Sequence, residues 1–135
     1  MLKNIEELNG MREAGKLASE VLEMIGSFVK PGISTGELDK ICNDYIIDIQ
    51  KAIPANVGYR GFEKTLCTSI NQVICHGIPD FNRILKNGDI MNIDVTVIKD
   101  GWHGDTSKMF LVGKTQAHNE RLAHITQECL YKGIE

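Results

Sequence analysis

The sequence predicts a single α+β domain, and three observations carry that reading. Apolar residues recur at helical spacing up to Pro54, alternate around strong turn signals in the middle of the chain, and return to helical spacing after Ala117. At 135 residues the chain can bury one real core but not two, so residues 1–135 are read as one domain. Its 42% apolar and 24% charged residues are ordinary for a soluble globular protein. A formal charge of −3 and a pI near 5.8 provide no electrostatic reason to expect nucleic acid or an anionic membrane as partner. No apolar run approaches the roughly 18 residues a membrane-spanning helix needs. Met1 to Gly10 lack the basic-then-apolar layout of a signal peptide, so a cytoplasmic location is expected.

The first helix is marked by Ile5, Leu8, Met11, Leu17, Val21, Leu22, Ile25 and Val29, with Glu6, Glu7, Arg12, Glu13, Glu20 and Glu23 on the other side. Lys30-Pro31-Gly32 stops it. Ser34 followed three residues later by Glu37 is a capping-box pattern, opening a second helix through Leu38, Ile41, Tyr45 and Ile46 that ends before Pro54. Asn56-Val57-Gly58-Tyr59-Arg60-Gly61-Phe62 is a glycine-spaced aromatic loop. Thr65 to Cys75 is β-rich with a weak turn at Asn71-Gln72, and leads into His76-Gly77-Ile78-Pro79. Lys86-Asn87-Gly88-Asp89 is a strong turn signal, after which Ile90 to Ile98 and Trp102 to Val112 form a hairpin about Lys99-Asp100-Gly101. From Ala117 the spacing of Leu122, Ile125, Cys129 and Leu130 predicts a last helix. The four cysteines, Cys42, Cys67, Cys75 and Cys129, form no C-x-x-C pair and are expected to be reduced.

The hairpin carries the most informative chemistry. Met91, Ile93, Val95 and Val97 share one face of the outgoing strand, and Asn92, Asp94 and Thr96 share the other. Asp105 follows eleven residues after Asp94 on the returning strand. A Lys99-Asp100 loop sets the two aspartates directly opposite, with Cβ atoms about 5 Å apart; an Asp100-Gly101 loop sets them diagonally, about 7–8 Å apart. Both registers place the carboxylates on one face, where like charges are unfavourable unless a cation compensates. A pair of divalent metal ions is the natural compensator; solvated residues on an exposed hairpin face are the alternative. His76 precedes a rigid Gly-Ile-Pro turn that can aim an imidazole into a cleft, or it is an ordinary turn histidine. His103 shares strand parity with Asp105, as a ligand or as a hydrogen-bonding neighbour, whereas His118 and His124 fall on the last helix as surface residues.

Several segments together resemble bacterial type I methionine aminopeptidase. They are Lys30-Pro-Gly-Ile-Ser-Thr-Gly-Glu-Leu-Asp39, Thr68-Ser-Ile-Asn71, Cys75-His-Gly-Ile-Pro79, Asn92-Ile-Asp-Val-Thr-Val97 and Gly101-Trp-His-Gly-Asp-Thr-Ser-Lys-Met-Phe110. The resemblance runs in order from the first helix to about Tyr131 and leaves Lys132 to Glu135 outside it. It implies the amino-terminal half of a pita-bread fold, in which two αβ halves flank a dinuclear metal site, and an activity that removes the initiator methionine from nascent proteins. By the same resemblance Asp94 is a metal ligand and Asp105 bridges both metals, while His76 contacts the substrate as the catalytic histidine. Tyr59, Phe62, Cys67 and His76 line the site for the substrate's methionine, and an apolar slot with a neighbouring sulfur suits a thioether. Asn71 and Val73 match a loop that offers backbone oxygens to a monovalent cation. Two departures stand in the aromatic loop: Asn56 where cysteine is frequent in the family, and Phe62 where tyrosine is common.

The implied cofactors are two divalent ions, with cobalt, manganese, iron and zinc all compatible with mixed carboxylate–imidazole ligation. The implied partners are a peptide or nascent protein with an N-terminal methionine, proximity to the ribosome, and a second copy of the chain across its exposed face. The family's remaining ligands, a histidine and two glutamates, belong to a carboxy-terminal half that these 135 residues do not match. The expectation is therefore a truncated, metal-dependent aminopeptidase unit that holds metal weakly and is inactive alone. A half-domain acting as an association or binding module is the alternative.

Overall fold

The structure, a computed structural model, describes residues 4–135; the reading of the amino terminus falls in part on Met1 to Lys3, which lie outside the described residues. Helix α1 spans Ile5–Gly26, and the Asn4 side chain caps it by accepting the Glu7 N–H at 2.8 Å. It stops short of the expected Val29. Lys30 precedes a proline and is biased away from helical backbone, and the Phe28 N–H folds back to the Ile25 carbonyl. Helix α2 spans Thr35–Asp44 and opens on the expected capping box: the Glu37 N–H donates to Ser34 Oγ at 3.1 Å, and the Ser34 N–H donates to Glu37 Oε2 at 2.9 Å. The helical stretch does end before Pro54, but not as one α-helix. Tyr45–Ile49 widens into a π-type turn, closed by Gln50 N–H to the Tyr45 carbonyl and by Ala52 N–H to the Ile46 carbonyl.

Four strands follow: β1 (Ile53–Pro54), β2 (Leu66–Ile70), β3 (Ile90–Lys99) and β4 (Trp102–Leu111). All pairing is antiparallel, with β3 in the middle; β1 and β2 lie end to end along one of its edges and β4 along the other. The short β1 has no counterpart in the sequence reading, since two residues are too few to show alternation. The β-rich segment from Thr65 to Cys75 contributes only Leu66–Ile70, because Asn71 takes a left-handed backbone (φ 52°) and turns the chain. Across the β3–β4 hairpin Lys99 pairs with Trp102, and Asp100 (φ 50°) and Gly101 (φ 84°) make the two-residue turn. Two positive φ angles are the type I′ signature, which matches the twist of the strands it joins.

The core lies between the helices and one face of this sheet. Met91, Ile93, Val95 and Val97 are fully buried against Leu17, Ala18, Val21, Leu22 and Ile25 of α1, with Leu38 and Cys42 of α2 and Ile46 in the same cluster. The alternate residues of β3, Asn92, Asp94 and Thr96, are only half-buried on the opposite face. Helix α3 (Ala117–Ile134) follows β4 and has no buried residue. All four cysteines are free thiols, as expected, and no helix among the described residues is long and apolar enough to cross a membrane.

Candidate active site

The polar face of the sheet opens into a cavity of about 590 Å³. Tyr59, Phe62, Cys67, His76, Asp94 and Asp105 all line it, together with Asn56, Arg60, Gly61, Ile78 and Thr96. Four separate stretches of chain, the aromatic loop, β2, the His76 turn and the β3–β4 hairpin, thus bring the six singled-out residues to one hollow. The observed register pairs Thr96 with Asp105 and Asp94 with Ser107, so the aspartates are diagonal and the Asp100-Gly101 loop is the one adopted. Cys67 lies beside Asp94 on β2. His103 pairs with Ile98 near the hairpin end, is exposed, and does not line the cavity. His118 and His124 are exposed on α3.

Proximity of the aspartates leaves an electrostatic mark. Asp94 is raised above its ordinary value of 3.8, first by burial, then by the charge of Asp105 and a side-chain hydrogen bond with it, with His76 pulling the other way. Such a pair suits a divalent cation in both charge and donor type, because a cation between them offsets the repulsion of two like charges. Among the described residues no group of three or more His, Cys, Asp or Glu is arranged to hold a metal ion. Burial, with Asp94 next in effect, pushes the Cys67 thiol up to about 11, so it presents a neutral sulfur to the cavity.

His76 stands on a strained backbone. Its φ of 55° is left-handed, and the following Gly77 is pinned to β2 by Thr68 N–H to its carbonyl (2.7 Å) and by its own N–H to Ser69 Oγ (3.2 Å). A Cβ on Gly77 would sit 2.1 Å from the Thr68 carbonyl oxygen, so only glycine lets the two segments touch. The expected rigid turn therefore does present the imidazole at the cavity, and a left-handed histidine costs on the order of 1–3 kcal/mol that the surrounding bonds hold in place.

Sequence reasoning did not single out Arg60, Gly61 or Ile78 as lining residues. Arg60 stacks over the Tyr59 ring at 5.5 Å from its centroid, a neighbour that the aromatic loop's spacing could have signalled. Asn56, noted as a departure, serves the structure directly, since its Nδ2 donates to the Thr65 carbonyl at 3.1 Å and ties down the loop. Asp39 was visible only as the end of a motif, yet its carboxylate accepts the Thr65 and Leu66 N–H groups at 2.8 and 2.9 Å, fastening the start of β2 just before Cys67.

Burial raises Asp39 above 3.8 despite those two hydrogen bonds and the nearby Lys64, which lower it. A carboxyl whose folded value is raised binds its proton more tightly in the native state. Its contribution to stability is complete below the unfolded value and is lost as pH rises through the folded one. Asp39→Asn keeps an acceptor oxygen but removes this titration. Melting temperatures measured from acid to neutral pH are expected to climb for the variant relative to the wild type over that interval. Parallel curves would show that Asp39 does not titrate differently on folding.

The sheet with helices on one face and a carboxylate-lined hollow on the other defines a class. Residues 9–135 match metallopeptidase family M24, and the chain belongs to that family. It is similar to the methionine aminopeptidase of Escherichia coli strain K12, with 64% identity over 133 residues, 98% of this chain and 50% of that protein. The Salmonella typhimurium methionine aminopeptidase is 61% identical over 99% of this chain and 51% of its own length. Among crystal structures, methionine aminopeptidase from Rickettsia prowazekii superposes with a TM-score of 0.96 at 49% identity, covering all 100% of this chain and 54% of that one. The Thermotoga maritima methionine aminopeptidase superposes with a TM-score of 0.93 at 29% identity, over 98% and 53%. The fold is accordingly half of the pita-bread arrangement, and the chain spans about half the length of the curated relatives it matches. The expectation that Lys132 to Glu135 leave the family pattern is corrected: the family match reaches Glu135 and α3 continues to Ile134. A helix tolerates changed side chains on an exposed surface, so local divergence there does not end it.

Proposed function

We propose that this chain supplies the carboxylate and substrate-pocket half of a metal-dependent aminopeptidase that removes N-terminal methionine from peptides and nascent proteins in the cytoplasm. The observation that carries this reading is the convergence of Asp94, Asp105, His76, Cys67, Phe62 and Tyr59 on one cavity. Asp94 and Asp105 would hold the divalent ions, cobalt, manganese, iron or zinc. Bound there, they supply Lewis-acid polarisation of the scissile carbonyl. His76 would hydrogen-bond the substrate beside that carbonyl. Tyr59, Phe62 and the neutral Cys67 sulfur would enclose the methionine thioether, an apolar and polarizable partner. Ribosome proximity follows from a nascent-chain substrate.

Two aspartates offer too few contacts where a stable site usually wants four or more ligands, so the 135-residue chain alone should bind metal weakly and be inactive. The test is a chimera joining this chain to the second half of the Escherichia coli relative, assayed on a Met-Gly-type peptide with added Mn²⁺ or Co²⁺. Turnover by the chimera and none by the isolated chain is the expected result. A folded chimera without activity would overturn the reading in favour of a half-domain that only binds or associates.

A further inference from the structure

Tyr59 and Phe62 line the cavity from the aromatic loop and Cys67 lines it from β2, and one buried threonine stands between these segments. No side chain from 57 to 61 is buried, so packing among the described residues does not place the loop. Backbone bonds close it on itself: the Gly58 N–H donates to the Phe62 carbonyl at 2.7 Å, and the Phe62 N–H donates to the Tyr59 carbonyl at 2.9 Å. A loop closed in this way moves as one piece, and its ties to the rest of the fold decide where it stands.

Thr65 supplies that tie. It is 1% exposed, and each of its three polar groups meets a partner from elsewhere in the chain. Its N–H donates to Asp39 Oδ1 at 2.8 Å, its hydroxyl donates to Asn43 Oδ1 at 3.0 Å, and its carbonyl accepts from Asn56 Nδ2 at 3.1 Å. Asp39 and Asn43 are four residues apart, on one face of α2. Asn56 opens the aromatic loop and lines the cavity itself, whereas no residue of α2 does. Cys67 follows two residues after Thr65, so the link between the loop and Cys67 runs through a residue fastened to α2.

We propose that Thr65, held by Asn43, is a positioning residue that sets the spacing between the aromatic loop and Cys67, and with it the selectivity for methionine as the substrate's first residue. The assignment rests on the aminopeptidase function proposed above. Methionine is long and unbranched, and discrimination against the shorter, branched leucine depends on contacts along the full depth of the slot. A slot whose sides drift apart loses many contacts to methionine and fewer to leucine, which made fewer at the start. Neither Thr65 nor Asn43 lines the cavity, so an effect of either on selectivity has to pass through the bond between them.

The experiment assays the chimera with the second half of the Escherichia coli relative on Met-Gly-Gly and Leu-Gly-Gly, as wild type and with Thr65→Val, Asn43→Ala or both. Valine keeps threonine's shape and removes only the hydroxyl. Each single variant should lower the ratio of kcat/KM for the methionine peptide over the leucine peptide about tenfold, mostly by raising KM for methionine. The double variant should fall no further, because both changes break one bond. Thr65→Ser, which keeps the hydroxyl, should restore the wild-type ratio. A lower melting temperature with an unchanged ratio, or additive losses in the double variant, would overturn the proposal. Hydrogen exchange gives a readout that needs no activity: in the 135-residue chain the Gly58 and Phe62 amides should exchange about fivefold faster in Thr65→Val, while the β3 amides keep their protection. Equal exchange with and without the hydroxyl would also overturn it. An inactive wild-type chimera would instead overturn the aminopeptidase reading, and the exchange rates would then decide the tie alone.

Discussion

Gly104→Ala is expected to destabilise the chain by about 3 kcal/mol or more, at the upper end of what overpacking costs, and to lower the melting temperature by roughly 10 °C. A Cβ at that position would lie 2.0 Å from the Ala14 carbonyl oxygen and 2.6 Å from the Gly15 nitrogen. Those are backbone atoms of α1, and a helix backbone cannot step aside as a flexible side chain can. Relief requires α1 to lift off β4, which opens the contact of Leu17, Ala18 and Val21 with the sheet. Two other glycines serve as controls in the same thermal melt. Gly15 meets nothing within 4 Å, so Gly15→Ala should stabilise the helix by up to about 1 kcal/mol. Gly101 is also uncrowded but left-handed (φ 84°), so Gly101→Ala should cost about 1–2 kcal/mol from backbone strain alone. If Gly104→Ala melted no lower than Gly101→Ala, the close helix–strand approach would not be what requires glycine there. The consequence reaches the site, because Gly104 immediately precedes Asp105 and the depth at which β4 sits against α1 sets where that carboxylate stands.

In the active chimera, Asp105→Asn is expected to reduce turnover by on the order of 10³-fold, corresponding to several kcal/mol of lost metal-derived stabilisation. Asp105 is the proposed bridging ligand, so its loss should lower the bound metal as well. Asp94→Asn should loosen one metal and fall less far. His76→Ala should reduce turnover while leaving metal content unchanged, since the imidazole is assigned to substrate. Metal analysis of the three purified variants beside their kinetics separates these roles. If His76→Ala strips the metal, or if Asp105→Asn keeps both metal and rate, the assignment of ligands fails.

Much of this was legible because it is local. The start of helix α2 could be placed to the residue from Ser34 and Glu37, since a capping box is a hydrogen-bond pattern between residues three apart, but its end at Asp44 could not. The buried and polar faces of β3 followed from strict alternation, which is a property of one strand whatever it pairs with. The same alternation put Asp94 and Asp105 on one face before any register was known. What alternation could not decide was which of two hairpin loops the chain adopts, and hence whether the carboxylates are opposite or diagonal. Neither could it reveal β1, whose two residues are strand only because Ile98 and Val97 lie beside them.

The sequence by itself determined the order of elements, the polarity of each face and the residue types available for chemistry, because these depend on neighbours within a few positions. Spacing along the chain could not bring the aromatic loop, the His76 turn and the hairpin to one cavity; the family resemblance implied a common site, and the tertiary structure places these residues around one hollow and shows that Asp39 on α2 fastens β2 beside it. It also decided that Gly77 and Gly104 must be glycine, because each is crossed by a backbone distant in sequence. The physical reason is the same throughout. Contacts between segments far apart in sequence are set by how the chain packs, and spacing along one segment carries no record of what lies across from it.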